Sequence, residues 1–231
     1  VDEKASFLEH LEELRRRLIA IFLSLTITTS ISFLFSDNIL SFLKSCAGEI
    51  RLSYFSPLEP IMVKIKLAIF FGAFLASPVI LHQALAFILP AATPKEKRML
   101  IPVVLSSFIL FLVGVMIGFY LILPYGLKWL FLQAGDQIEQ VLRAEFYISF
   151  VGWLLLISGL IFETPLLIVS LVKARILSYK QLRRKWQFVY LGILVISAII
   201  TPDWSPVTMV ILAIPILLLY EVSLFAARFF E

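Results

Sequence analysis

A chain of 231 residues that is 61% hydrophobic and 16% charged, with mean hydropathy +0.98, falls outside the range of soluble domains, which run at about 45–50% apolar and about 25% charged. The length provides one membrane domain and excludes a separate soluble domain, while the net charge of +4 reads as loop charge that sets topology, with no nucleic-acid partner required. Cys46 is the single cysteine, which excludes an intrachain disulfide.

The first element is amphipathic. Phe7, Leu11, Leu14 and Leu18 recur at steps of four, three and four, one face of a helix expected over residues 6–17. Ser6 with Glu9 fits a capping box at its start. The opposite face carries Glu9, Glu12, Glu13, Arg16 and Arg17, with Glu12–Arg16 and Glu13–Arg17 spaced four apart, acid before base. No apolar run precedes it, so no cleavable signal is expected. Two readings stand for this helix: an interfacial anchor for the first span, or a carboxylate that serves as ligand for a basic guest.

Uncharged runs then mark the spans. Nineteen residues separate Arg17 from Asp37, 28 separate Lys66 from Lys95, and 29 separate Arg98 from Lys128. A further 27 lie between Glu145 and Lys173, interrupted by Glu163. The last two runs, on either side of Asp203, are 17 residues each, near the lower limit of about 17 for a crossing helix. The expected spans are 18–36, 61–90, 99–123, 146–171, 187–201 and 207–226. The last two are either short crossings or a re-entrant hairpin turning at Pro202-Asp203-Trp204, and an aspartate beside a tryptophan suits the far interface better than the hydrocarbon midplane.

Hydroxyl residues from Ser24 to Ser32 prepare the first span for close helix packing. Ile39, Leu40, Phe42 and Leu43 suggest that the first external loop folds as a cap, and Gln133, Gln137 and Gln140 mark an interfacial helix in the second. Pro78 and Pro90 are expected to bend or end the second span, Pro102 to sit in the first turn of the third, and Pro124 to end that span. With the N-terminus in the cytoplasm, 14 of the 20 basic residues fall on the cytoplasmic side, so positive-inside bias places both termini there.

Catalytic and metal signatures are missing. The only histidines are His10 and His82, neither with metal-site spacing, and no nucleophile elbow, P-loop or intramembrane aspartate pair is present. The reading is of a protein that is not an enzyme and needs no metal or cofactor. Glu163, the one carboxylate well inside a span, costs at least about 2.5–3.5 kcal/mol to insert, so it faces protein or water. It serves either as a functional group in a partly hydrated concavity or as a neutral, hydrogen-bonded packing residue; Pro165 beside it frees a backbone carbonyl.

Several segments together resemble the TatC family of the twin-arginine protein translocase. They are His10-Leu11-Glu12-Glu13-Leu14-Arg15-Arg16-Arg17-Leu18, Ser77-Pro78-Val79-Ile80-Leu81 through Ala86-Phe87-Ile88-Leu89-Pro90, the loop containing Glu96, Phe162-Glu163-Thr164-Pro165, Thr201-Pro202-Asp203, and Ala213-Ile214-Pro215. The resemblance implies an all-α polytopic membrane protein with six transmembrane helices, both termini cytoplasmic and the last two helices short. It implies a receptor in the cell inner (cytoplasmic) membrane that binds twin-arginine signal peptides and exports folded cargo with the single-span partners TatA and TatB, driven by the proton-motive force. A homo-oligomer is left open. Carried over by position, Glu13 and Glu96 are the recognition carboxylates, with Arg15, Arg17 and Phe87 on matched positions, and Asp203 and Pro90 serve partner contact or structure. The sequence departs from the family after Asp203, where Ser205-Pro206-Val207 stands in place of the family's Ser-Gln. The alternative reading is a secondary transporter or ion-conducting protein using Glu163.

Overall fold

The uncharged runs fold as helices because an apolar surrounding leaves each backbone N–H and C=O to be satisfied within its own segment. The computed structural model describes residues 2–46, 51–88, 94–134, 141–173, 178–200 and 206–228. Its elements in order are α1 (Asp2–Leu34), α2 (Ser36–Cys46), β1 (Arg51–Ser53), α3 (Glu59–Ile88), α4 (Pro94–Ile117), a π-helical turn (Gly118–Ile122), α5 (Leu123–Ala134), β2 (Val141–Arg143), α6 (Ala144–Phe162), α7 (Thr164–Lys173), α8 (Tyr179–Arg184), α9 (Trp186–Ile200) and α10 (Pro206–Ala227). Among the described residues four stretches are long and apolar enough to cross a membrane: Leu11–Leu34, Glu59–Phe87, Pro102–Lys128 and Ala144–Lys173. Trp186–Ile199 and Ala213–Ala227 are shorter apolar helices. The chain is an all-α polytopic membrane protein.

Several boundaries differ from expectation. The amphipathic segment and the first span form one helix, α1, which begins at Asp2 ahead of Ser6. Neither Gly nor Pro interrupts residues 2–34, so nothing forces a break at the charged-to-apolar boundary. Helix α4 begins at Pro94, which places Pro102 in its interior and puts Glu96 on a helix where a loop was expected. Proline at a helix start gives up a donor that has no intrahelical partner anyway. Pro124 does not end the third span. The Leu123 N–H bonds back to Gly118 O, a five-residue step, and the wider π turn carries the helix past a residue with neither a donor nor room for a carbonyl four residues back. The fourth span is divided by a turn at Glu163 into α6 and α7.

Contacts within the chain define two compact units: Val1–Phe108 with Ala134–Leu156, and Ile109–Gln133 with Ile157–Glu231. In the first unit α1 packs along α3. Thr28 on α1 donates its hydroxyl to Gly72 O on α3 at 2.8 Å, and Val63, Leu67, Ala68 and Ala76 of α3 are buried. Gly152 on α6 admits the Phe70 ring, which stacks edge-on against Trp153 at 5.7 Å. The first loop does fold onto this unit through α2, where Leu43 is buried and its carbonyl accepts the Tyr147 hydroxyl at 3.2 Å.

Two short strands, unforeseen in an all-helical reading, tie the loops together. β1 pairs parallel with β2 in the register Arg51↔Val141, Leu52↔Leu142, Ser53↔Arg143. An ion cluster flanks them: Arg143 Nη2 lies 2.5 Å from the buried Glu59, which also accepts the Phe55 N–H at 2.9 Å. Lys66 Nζ bonds Glu145 and Ser149, both at 2.8 Å.

The second unit is built around α10, packed against α7 and α9. Ile168, Val172, Ile193, Ala213, Ile216, Tyr220, Leu224 and Ala227 form its buried core. At one end Glu221 accepts from Arg183 Nη1 with both oxygens at 3.1 Å and from the Tyr190 hydroxyl at 2.5 Å. That joins the basic segment α8 to α9 and α10.

Candidate functional site

The amphipathic part of α1 supplies the site. Glu13 and Arg17 stand one turn apart, and their side chains are 34% and 18% exposed. Arg17 Nε donates to Glu13 Oε1 at 3.1 Å, and Nη2 contacts the same oxygen. From its other side the guanidinium reaches α3, with Nη1 at 3.3 Å from Gln83 Oε1 and 3.5 Å from Gln83 O. Helical spacing alone foresees the Glu13–Arg17 pair. It does not foresee Gln83, whose sole sequence signal is its place one turn before Phe87. Phe87 is half-buried on α3.

Arg15, by contrast, is exposed and lines an open apolar groove of about 480 Å³ with Leu11, Leu14, Leu18 and Phe22. Glu96 falls in the first turn of α4, in the same unit as Glu13, near the positive end of the helix dipole. Pro90 and Asp203 lie outside the described residues.

Glu163 belongs to the second unit and is 3% exposed, so protein surrounds it and lipid does not. The backbone turns there: Glu163 N–H bonds Leu160 O at 3.1 Å, and Glu163 O accepts from Leu167 N at 3.0 Å. Pro165, without an N–H, leaves the turn before it tightened. His82 is exposed on α3. Among the described residues no group of His, Cys, Asp and Glu is arranged to hold a metal ion.

The arrangement is suited to binding. Glu13 accepts two guanidinium nitrogens of Arg17 on one carboxylate oxygen at a partly buried helix–helix seam, a charge-assisted contact of the kind that holds an arginine.

The family model "TatC: Sec-independent protein translocase protein (TatC)" matches residues 9–215. The TatC protein of Aquifex aeolicus is 38% identical over 226 residues, covering 95% of this chain and 93% of that protein. The TatC of a Synechocystis strain is 35% identical over 219 residues, covering 95% and 86%. A crystal structure described as the twin arginine translocase receptor TatC superposes with TM-score 0.83 at 36% identity, covering 95% of this chain and 98% of that one. A second, of the receptor in DDM, gives TM-score 0.84 at 38% identity, covering 94% and 98%. Motif, fold and full-length similarity agree: the chain belongs to the TatC family of Sec-independent protein translocase proteins, membrane transport subunits rather than enzymes.

Proposed function

We propose that this chain is the receptor subunit of a twin-arginine translocase, binding signal peptides through Glu13 and Glu96. The observation that carries the reading is Glu13 engaged with a guanidinium edge, the group that two adjacent arginines on a peptide present. Arginine is always charged and pairs with a carboxylate through a planar fork, so paired arginines call for two separated acids. The basic neighbours Arg15, Arg16, Lys95 and Lys97 repel a generic polycation, which adds selectivity by disfavouring the wrong guest. Support also comes from the solved relatives described as twin arginine translocase receptors.

In this reading the chain crosses the cell inner membrane six times with both termini in the cytoplasm. It hands folded cargo to a pathway formed with TatA and TatB and powered by the proton-motive force. The test is binding of an Arg-Arg peptide and its Lys-Lys twin to the wild type, Glu13→Ala, Glu96→Ala and the double variant. Each single change weakens the Arg-Arg peptide and narrows its advantage. A double variant that keeps the wild-type preference removes these carboxylates from the site. The competing reading, solute or ion transport through Glu163, requires flux into liposomes containing this chain alone.

A further inference from the structure

We propose that α8 and the first turn of α9 form a binding surface for the headgroup of an anionic phospholipid. Residues 178–187 contain Lys180, Arg183, Arg184 and Lys185 and no acid. Glu221 on α10 compensates one of these cations, with both of its oxygens 3.1 Å from Arg183 Nη1. Lys180, Arg184 and Lys185 are exposed and have no ion pair among the described residues. The short helix is held in place. Tyr179 and Leu182 pack against the buried core around α10, and the Tyr220 hydroxyl donates to Leu182 O at 3.3 Å. Lys180 and Arg184 stand four residues apart on one face, where like charges repel. A helix pinned on its other side does not relieve that repulsion by moving, whereas an anion between the two cations does.

The surface turns apolar directly after the last cation. Helix α9 carries no charge from Trp186 to Ile200, and Trp186 and Phe188 are 42% and 74% exposed. The Lys185 carbonyl accepts the Phe188 N–H at 3.0 Å, so the ammonium and the exposed ring belong to successive positions of one turn. Trp186 is braced edge-on against Tyr190 at 5.1 Å. Cations at the mouth of an apolar helix, beside a tryptophan, stand at headgroup depth. A free phosphate or a soluble acidic peptide would match the charge and leave Phe188 in water. A phospholipid presents phosphate and then hydrocarbon, in the order that Lys185 and Phe188 present their complements. Loop charge that serves topology alone requires only a count of cations and selects no lipid beside any one residue.

The experiment uses the full-length chain in vesicles of phosphatidylcholine and phosphatidylglycerol, with tryptophan kept only at 186 or only at 153 and phenylalanine at the other three positions. Trp153, 60% exposed on α6 in the other unit, is the reference. Bromine on the acyl chains of one lipid quenches whichever tryptophan that lipid touches, so quenching reads the local lipid ratio. Phosphatidylglycerol is expected to be enriched about fivefold over the bulk ratio at Trp186, the scale of one uncompensated cation at a charged membrane, and to match the bulk ratio at Trp153. Lys180→Gln, Arg184→Gln and Lys185→Gln together should return Trp186 to the bulk ratio, whereas Lys180→Arg with Lys185→Arg should keep the enrichment. Lys185→Gln alone should lower it part of the way, and decides the matter if the triple variant does not fold. Millimolar glycerol phosphate should leave the enrichment intact; its loss would assign the cluster to soluble phosphate and overturn the inference. The bulk ratio at Trp186 with all three cations present, equal enrichment at Trp153, or a folded triple variant that keeps the enrichment overturns it as well.

Discussion

The hydroxyl of Thr28 on α1 donates to the backbone carbonyl of Gly72 on α3 at 2.8 Å, and also meets Ser24 O at 2.8 Å within its own helix. The contact depends on Gly72 being glycine. A Cβ there would stand 2.7 Å from Thr29 Cα and overlap the Thr29 hydroxyl, so only a bare backbone lets the helices approach this closely.

Gly72→Val should therefore force α1 and α3 apart at a cost of about 1–3 kcal/mol or more, whereas Thr28→Val, which removes only the hydroxyl, should cost about 1 kcal/mol. Thermal unfolding of the purified chain in detergent ranks the two. An unchanged Tm for Gly72→Val would show that this seam is not closely packed.

Arg143 on β2 pairs with Glu59 at the start of α3, and Glu59 is 2% exposed. Arg143→Leu leaves a buried carboxylate without its cation and should destabilise by about 2–3 kcal/mol, after discounting for the partial exposure of the arginine. Glu59→Gln combined with Arg143→Leu should recover part of that loss. A double variant as unstable as the sum of the single ones would mean that the pair contributes nothing.

Single cysteines in a Cys46→Ser background should report topology. Residues 91–98 and 174–185 are expected to react with an impermeant thiol reagent only from the cytoplasmic side, and 128–143 only from outside. External labelling at 174–185 would sink the six-span arrangement, because that segment holds five basic residues, Arg175, Lys180, Arg183, Arg184 and Lys185.

Glu163→Ala and Glu163→Gln should both insert and fold, since the residue closes a turn held by backbone bonds to Leu160 and Leu167. Export of a reporter with an Arg-Arg signal should fall by about tenfold in the alanine variant, equivalent to about 1.4 kcal/mol at the limiting step. Wild-type export in both variants would confine Glu163 to packing.

The apolar helices were legible in the sequence because they follow a one-dimensional quantity, the length of chain between charges. The intervals Arg17–Asp37, Lys66–Lys95, Arg98–Lys128 and Glu145–Lys173 correspond to the four long apolar helices, and the two runs beside Asp203 to the shorter ones. Helical spacing likewise foretold that Glu13 and Arg17 would meet, since four residues span one turn. Gln83 was not legible in the same way. It lies 66 positions from Arg17, and only the packing of α1 on α3 brings its oxygens to the guanidinium. The parallel pairing of β1 with β2 and the closure of Arg143 on Glu59 were hidden for the same reason: loop residues carry no strong period, and their partners are chosen by the helices that deliver them. Pro124 shows the converse. Its missing donor is a local property that argues for a helix end, but the tertiary structure absorbs it in a π turn, because ending the helix there would leave further backbone groups unpaired.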